Sequence, residues 1–277
     1  MVTLLATVRD SQGLLAKDLN RDDFLLQEEG VAQTIRYFSR ESDLPLTIGL
    51  LVDTSSSQLH VLEPERRASF AFLNQVLREG QDQAFVAHFD FNVEVLQGFT
   101  SSRKDLESAL AELKVPRRFG TRLYDAIRDF SENPMRKQKG RKAYILLSDG
   151  VNNGSKTSLG TAIEYAQRAD TIVYSILFAE QPSPSRPFRS AVLAVGRARG
   201  RRVMRRLAME TGGAFFEVAK DSPIEKIYAQ IEETLRNQYS LGYTPEPKGA
   251  AGQYRKIKLT TKRPGLIVQT RDGYFAK

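Results

Sequence analysis

The chain has 277 residues, 41% of them hydrophobic, which is enough apolar material for one large or two small cores. It contains no cysteine, so disulfides and thiolate metal centres are excluded, and its longest apolar run, residues 44–52, is interrupted by Pro45 and Thr47 and is far too short for a membrane span. The net charge of +8 is uneven: Arg186, Arg189, Arg197, Arg199, Arg201, Arg202, Arg205 and Arg206 crowd into residues 186–206, while the remainder is close to balanced.

Taken from the amino terminus, residues 2–8, 24–28 and 33–38 alternate like antiparallel strands, with turns at Asp10-Ser11-Gln12-Gly13 and Glu29-Gly30. Met1 runs straight into the first of them, as expected of a cytoplasmic protein or of one whose leader has been removed; the second is the expectation here.

From Leu44 onward the pattern changes to buried apolar strands separated by amphipathic helices, the signature of a parallel sheet covered on both faces. The predicted strands are 46–52, 84–89, 142–147, 171–178 and 214–218, with 93–96 as an antiparallel edge. Helical stripes carry Ala68, Phe72, Leu73, Val76 and Leu77, then Leu106, Leu110 and Leu113, and finally Ile224, Ile227, Tyr228, Ile231 and Leu235. Such stripes are core. Residues 181–189, QPSPSRPFR, read as an exposed loop, and the arginines that follow as the solvated face of a helix.

After Gln238 the strand pattern returns at 239–243, 255–260 and 266–270. Three strands on either side would bury little alone. The expected fold class is therefore α/β: a doubly wound, mostly parallel sheet at 44–238, inserted in a small β-sandwich formed by both termini, residues 1–43 and 239–277. That arrangement predicts neighbouring chain ends.

Chemistry concentrates where the first α/β strand stops. Ile48-Gly49-Leu50-Leu51-Val52-Asp53-Thr54-Ser55-Ser56-Ser57 ends a buried strand in a carboxylate and alternate hydroxyls, at the edge where open α/β sheets place their ligand crevice. Gly120-Thr121-Arg122-Leu123-Tyr124-Asp125-Ala126-Ile127 and Leu146-Leu147-Ser148-Asp149-Gly150 add two further polar ends. Only oxygen donors are on offer, which suits a hard cation such as Mg²⁺ or Mn²⁺ and argues against zinc. Two carboxylates with neutral hydroxyls leave an ion an open position for a carboxylate from a partner. Asp125, one turn after Thr121, and Asp90, just after a strand, are candidates to orient the ligands or a bound water. Neither His60 nor His88 lies in a nucleophile-and-base pattern; a loop and a strand are their expected places. Arg117 and Arg118 precede the Thr121 loop as ordinary solvated arginines.

At these residues a resemblance becomes specific. Asp53-x-Ser55-x-Ser57, Gly120-Thr121 leading into a helix, and Ser148-Asp149-Gly150 occur in the order of the metal-ion-dependent adhesion site of von Willebrand factor type A and integrin inserted domains, over residues 44–238. The resemblance implies Mg²⁺, or Mn²⁺, with Ca²⁺ a weaker candidate, held by Asp53, Ser55, Ser57, Thr121 and Asp149. It also implies a non-enzymatic, adhesion-type role toward a protein partner with an exposed Asp or Glu, modulated by a shift of the last helix, 223–237. The flanks, Asp18-Leu19-Asn20-Arg21-Asp22-Asp23-Phe24, Tyr239-Ser240-Leu241-Gly242-Tyr243-Thr244-Pro245 and Arg271-Asp272-Gly273-Tyr274, resemble the VWFA-related proteins of Acidobacteria, which implies an extracytoplasmic location. This sequence departs from plain members in its Arg-rich segment.

Two other readings compete with this one. The arginines of 186–206 would suit nucleic acid or another polyanion, although aromatic residues for stacking are lacking apart from Phe188. Asp53-Thr54-Ser55 also resembles the aspartic protease triplet, which would need a second triplet or a dimer, an all-β lobe and a flap.

Overall fold

A computed structural model describes residues 1–40, 44–116, 118–178 and 187–276, with the backbone alone for 187–193. In chain order the strands are β1 (Val2–Arg9), β2 (Phe24–Glu28), β3 (Val31–Gln33), β4 (Ile35–Ser39), β5 (Leu46–Asp53), β6 (Gln83–Phe89), β7 (Val93–Thr100), β8 (Arg141–Ser148), β9 (Ile172–Leu177), β10 (Phe215–Glu217), β11 (Tyr239–Tyr243), β12 (Tyr254–Thr261), β13 (Ile267–Gln269) and β14 (Gly273–Phe275). The helices are α1 (Leu62–Val76), α2 (Arg103–Glu112), α3 (Leu123–Glu132), α4 (Leu159–Arg168), α5 (Pro187–Thr211) and α6 (Ile224–Arg236).

The central sheet has the order β10-β9-β8-β5-β6-β7, parallel except for the antiparallel edge strand β7. Every residue of β5 and of β8 is buried. Their continuous apolar runs are what two covered faces require. Helices α1, α2 and α6 pack on one face through Phe72, Leu73, Val76, Leu106, Leu110, Ile227 and Ile231. On the other, α3, α4 and α5 pack through Leu123, Ile127, Ile163, Met204 and Leu207. Gly49 in the middle of β5 makes room for two aromatic rings, since a Cβ there would collide with Phe85 and Tyr144.

The chain runs from β5 outward through β6 to β7, then returns to β8 on the other side of β5 and continues to β9 and β10. The reversal leaves a crevice beyond the carboxyl ends of β5 and β8, the place where open α/β sheets bind ligands. Asp53 and Ser148 are the last residues of those two strands.

The other two sheets, β13-β1-β11-β4 and β14-β12-β2-β3, each combine strands from both ends of the chain. Between them lies a core of Leu4, Ala6, Val8, Phe24, Leu26, Tyr239, Leu241, Tyr243 and Leu259. The α/β body leaves and re-enters this sandwich at adjacent strands, Ser39 of β4 facing Ser240 of β11. Met1 and Ala276 line one cleft. The expected fold class is the one observed.

Several local expectations need correction. The strand at 33–38 divides at Thr34, β3 pairing with β2 in one sheet and β4 with β11 in the other. Strand β14 was not expected; Gly273 and Tyr274 pair with β12 through a segment too short to show alternation. The edge strand β7 runs to Thr100 rather than stopping near residue 96. The loop expected over 181–189 ends earlier, because α5 begins at Pro187, a favoured first helical residue; residues 181–186 lie outside the described residues.

Candidate functional site

Asp53 ends β5 fully buried, with its oxygens already committed. One accepts from the Ser55 backbone N–H at 2.9 Å, the other from the Ser148 hydroxyl at 2.6 Å. The Ser148 Oγ in turn accepts from the Gly150 N–H at 3.0 Å, which fixes the turn carrying Asp149. Ser55 Oγ and Ser57 Oγ are 3.1 Å apart, and the Ser57 hydroxyl favours the ionised form of the Asp149 carboxyl, against the effect of burial. Asp149 also accepts from the Val151 N–H at 2.9 Å. Asp53, Ser55 and Ser57 on one side and the Ser148–Gly150 turn carrying Asp149 on the other are thus joined through Asp53, closed there and opening to the surface at Ser57.

Thr121 joins this edge through its backbone, which exchanges two hydrogen bonds with Asn153 at 2.7 and 2.9 Å. Arg122 N–H donates to the Asp90 carbonyl at 2.8 Å, and Thr54 N–H to the Phe89 carbonyl at 3.0 Å. Four loops are thus laced together by main-chain bonds.

The two flanking carboxylates have other tasks. Asp125 is fully buried and accepts from Arg122 Nη2 at 2.7 Å, Thr157 N at 2.9 Å and Lys156 N at 3.1 Å. Burial alone would raise its carboxyl, but these donors outweigh it and hold the group at about 2. It clamps the start of α3 to the 155–157 loop. Asp90 accepts from the Thr54 hydroxyl at 2.7 Å and the Asn92 N–H at 2.9 Å. Thr54, the residue between Asp53 and Ser55, is held by Asp90 and by His88 Nδ1 at 2.9 Å. His88 lies in β6 and His60 in a turn, as expected. Arg118 stands over the Phe91 ring, 5.6 Å from its centroid; Arg117 lies outside the described residues.

Electrostatically the site gathers carboxyls whose ionisation is disfavoured. Burial, reinforced by the neighbouring Asp149, pushes the Asp53 carboxyl up to about 7. Burial also raises Asp149. A third carboxylate, missed by the sequence reading, is Glu65 in the first turn of α1: it is 1% exposed and neither oxygen has a hydrogen-bond partner. Burial, then Asp53 and Asp149, hold it well above the usual carboxylate range. Gln58 Oε1 is also buried without a partner, while its Nε2 donates to Ser57 Oγ at 3.2 Å. The signal was present in the sequence, since Glu65 precedes Ala68, Phe72 and Val76 on the same helical stripe.

Among the described residues no three His, Cys, Asp or Glu side chains form a metal-binding group. The oxygen groups brought together at this edge are instead the Asp53 and Asp149 carboxylates and the hydroxyls of Ser55 and Ser57, with Thr121 tied to the same edge by its backbone. A buried and a half-buried carboxylate, unpaired with any cationic side chain among the described residues and accompanied by neutral oxygens, fit a hard divalent ion.

The arginine segment packs against this edge. Gly200 of α5 lies on the Asp149–Gly150 turn, where a Cβ would collide with the Asp149 carbonyl oxygen. Many of its arginines have intramolecular partners: Arg197 and Arg201 both bind Glu217, Arg206 binds Glu210, and Arg205 stacks over Phe215. Arg199 and Arg202 are exposed. Arg186 and the side chain of Arg189 lie outside the described residues.

No protein-family model matches the chain, and no curated protein matches it in sequence. Solved structures match in fold. Proximal thread matrix protein 1 from the mussel byssus aligns over 75% of this chain and 49% of its own, with a TM-score of 0.54 and 17% identity. This chain therefore spans about half the length of that protein. Another structure of it has a zinc-occupied MIDAS motif, the metal-ion-dependent adhesion site. An aerotolerance-related membrane protein from Bacteroides fragilis aligns over 69% of this chain and 98% of its own, with a TM-score of 0.53 and 14% identity. The vWF domain of the type V pili tip protein Mfa5 from Porphyromonas gingivalis aligns over 70% and 95%, with a TM-score of 0.52 and 12% identity. The chain has the fold of von Willebrand factor type A domain proteins.

Proposed function

We propose that this chain is a divalent-cation-dependent protein-binding module of the adhesion type. Asp53, Ser55, Ser57, Thr121 and Asp149 hold Mg²⁺ or Mn²⁺, and a partner's Asp or Glu side chain completes the coordination. One observation carries the reading: a buried carboxylate, Asp53, and a half-buried one, Asp149, stand at the crevice between β5 and β8 beside the Ser55, Ser57 and Ser148 hydroxyls, and among the described residues neither is paired with a cationic side chain. A divalent ion would neutralise both and supply a Lewis-acidic position open on the Ser57 side. Asp90 and Asp125 act from behind, Asp90 through Thr54 and Asp125 by bracing the loop that follows Asn153.

The byssal protein with zinc in its own such motif adds zinc to the ions worth titrating, despite the absence here of the nitrogen and sulfur donors zinc usually prefers. In the same reading, residues 44–238 form the binding module and 1–43 with 239–277 its sandwich support, and the module acts outside the cytoplasm, in keeping with the resemblance of the flanks to the VWFA-related proteins of Acidobacteria. Among the described residues no helix is long and apolar enough to cross a membrane.

Calorimetric titration of Mg²⁺ and Mn²⁺ into chelator-treated protein tests this. Saturable binding is expected, and both Asp53→Ala and Asp149→Ala should abolish it. Absence of binding to the intact chain would refute the reading.

A further inference from the structure

The rim of the site has a chemistry that its metal-binding residues do not explain. Exposed apolar side chains scattered singly are ordinary, whereas contiguous ones mark contact surfaces. Among the described residues only two phenylalanines are exposed, Phe119 at 81% and Phe91 at 47%, and both stand here. Leu59 is exposed at 61% and Val151 at 39%. Each is tied to the site by chain position. Leu59 is two residues after Ser57, Phe119 two before Thr121, Val151 two after Asp149, and Phe91 follows Asp90. Phe91 and the Phe119 loop are in contact, because a Cβ on Gly120 would lie within 3.3 Å of the Phe91 Cα and Cβ. Val151 belongs to the loop whose Asn153 pairs with Thr121. Four different loops of this edge thus each carry one exposed apolar side chain within two residues of a site residue, and three of those loops are in contact.

We infer that this rim is a specificity surface, and that the partner's acidic residue is presented between large apolar side chains rather than in a polar or charged segment. The inference rests on the proposed function. Charge complementarity at the centre selects a carboxylate, and the surrounding rim selects what flanks it. Such an arrangement of a charged centre within an apolar ring is that of a binding hot spot, where the ring excludes water from the polar contact. Phe119 carries the largest share, since it is the most exposed of the four and is one of the two with an aromatic face to offer.

Three immobilised heptapeptides test it in the presence of Mg²⁺: Ser-Gly-Phe-Glu-Phe-Gly-Ser, the Ser-flanked Ser-Gly-Ser-Glu-Ser-Gly-Ser, and the acid-free Ser-Gly-Phe-Gln-Phe-Gly-Ser. The Phe-flanked acid should bind about tenfold or more tighter than the Ser-flanked one, and the Gln peptide or a chelator should remove binding. Phe119→Ser and Phe91→Ser should each weaken the Phe-flanked acid while leaving calorimetric Mg²⁺ affinity and binding of the Ser-flanked acid unchanged. Intact Mg²⁺ binding with equal affinity for the two acidic peptides overturns this inference and spares the metal site; absence of Mg²⁺ binding overturns both. Equal binding of the Gln peptide would show apolar capture without a carboxylate, and Mg²⁺-independent dimerisation abolished by Phe119→Ser would assign the rim to a second copy of the chain. Either result also overturns it.

Discussion

Gly200 of α5 rests directly on the carbonyl of Asp149, so the helix that distinguishes this chain by its arginines forms one wall of the turn holding a site carboxylate. Gly150, on the other side of that contact, has φ +75 and itself abuts the Gly200 carbonyl. Only a pair of glycines lets a helix approach a turn this closely.

Replacing Gly200 by Ala should therefore push α5 away from the Asp149 turn, with a loss of about 2–4 kcal/mol of stability and weaker Mg²⁺ binding. Gly196 is the internal control: it lies one turn earlier on α5, and a methyl group there would meet nothing within 4 Å. Gly196→Ala should stabilise by up to about 1 kcal/mol through helix propensity and leave the ion affinity alone. Urea denaturation with calorimetry on both variants checks the contrast.

Glu65 supplies a second prediction. A buried carboxyl with neither oxygen partnered, facing two more carboxylates, opposes folding of the metal-free chain. One turn later on α1, Ser69 hydrogen-bonds Tyr228 of α6 at 2.7 Å, and Phe72 stacks on the same ring, so the surroundings can accept an apolar side chain. Glu65→Leu should raise the stability of the metal-free protein by roughly 1–3 kcal/mol, read as a higher urea midpoint at neutral pH in the presence of a chelator. An unchanged or lower midpoint would count against this account of Glu65.

These residues also show what the sequence could and could not convey. The parallel sheet and its helices were legible because the apolar runs and stripes have the right periods, and the meeting of Asp53, Ser55, Ser57 and Asp149 at one sheet edge was legible because Asp53 closes β5 and the other three follow the ends of β5 and β8. Glu65 stood on the α1 stripe in plain view, but a stripe read for its apolar members passes over the one polar residue on it. The Gly200 contact was not legible at all, since it joins residues far apart in sequence and depends on where α5 crosses. β14 and the split of the strand at Thr34 were lost for a third reason: segments of three residues are too short for alternation to register.

In the sandwich, Glu28 plays the part of a buried staple. It is fully buried, pairs with Arg255 and accepts hydrogen bonds from Tyr243 and Tyr274, so that β2, β12 and β14 of one sheet are joined to β11 of the other. Removing one partner of such a pair leaves an uncompensated buried charge. Glu28→Ala should cost about 3–5 kcal/mol, whereas Glu28→Leu combined with Arg255→Leu should cost much less. Thermal unfolding of the single and double variants measures the difference.

The last prediction concerns pH. The Asp53 carboxyl titrates near 7 in the folded protein against 3.8 as its ordinary value, because burial and the neighbouring Asp149 disfavour its charge. Below about pH 4 the group is protonated in both folded and unfolded chains and has no effect on stability. Between about pH 4 and 7 the unfolded chain ionises while the folded one retains its proton, so the metal-free protein loses stability as pH rises; above 7 the loss is complete, with an upper bound of about 4 kcal/mol. Asp149 and Glu65 are raised as well and act with the same sign. Asp53→Asn should therefore flatten part of this dependence and make the metal-free variant more stable than the parent at pH 8. Mg²⁺ acts in the opposite sense, because it binds the ionised carboxylates and must displace their protons. Its affinity should rise with pH up to about 7 and then level off. Urea unfolding of parent and Asp53→Asn from pH 5 to 8, with chelator and with Mg²⁺, separates the two effects: with the ion present the parent should regain at neutral pH the stability it loses without it, and the variant should show no gain.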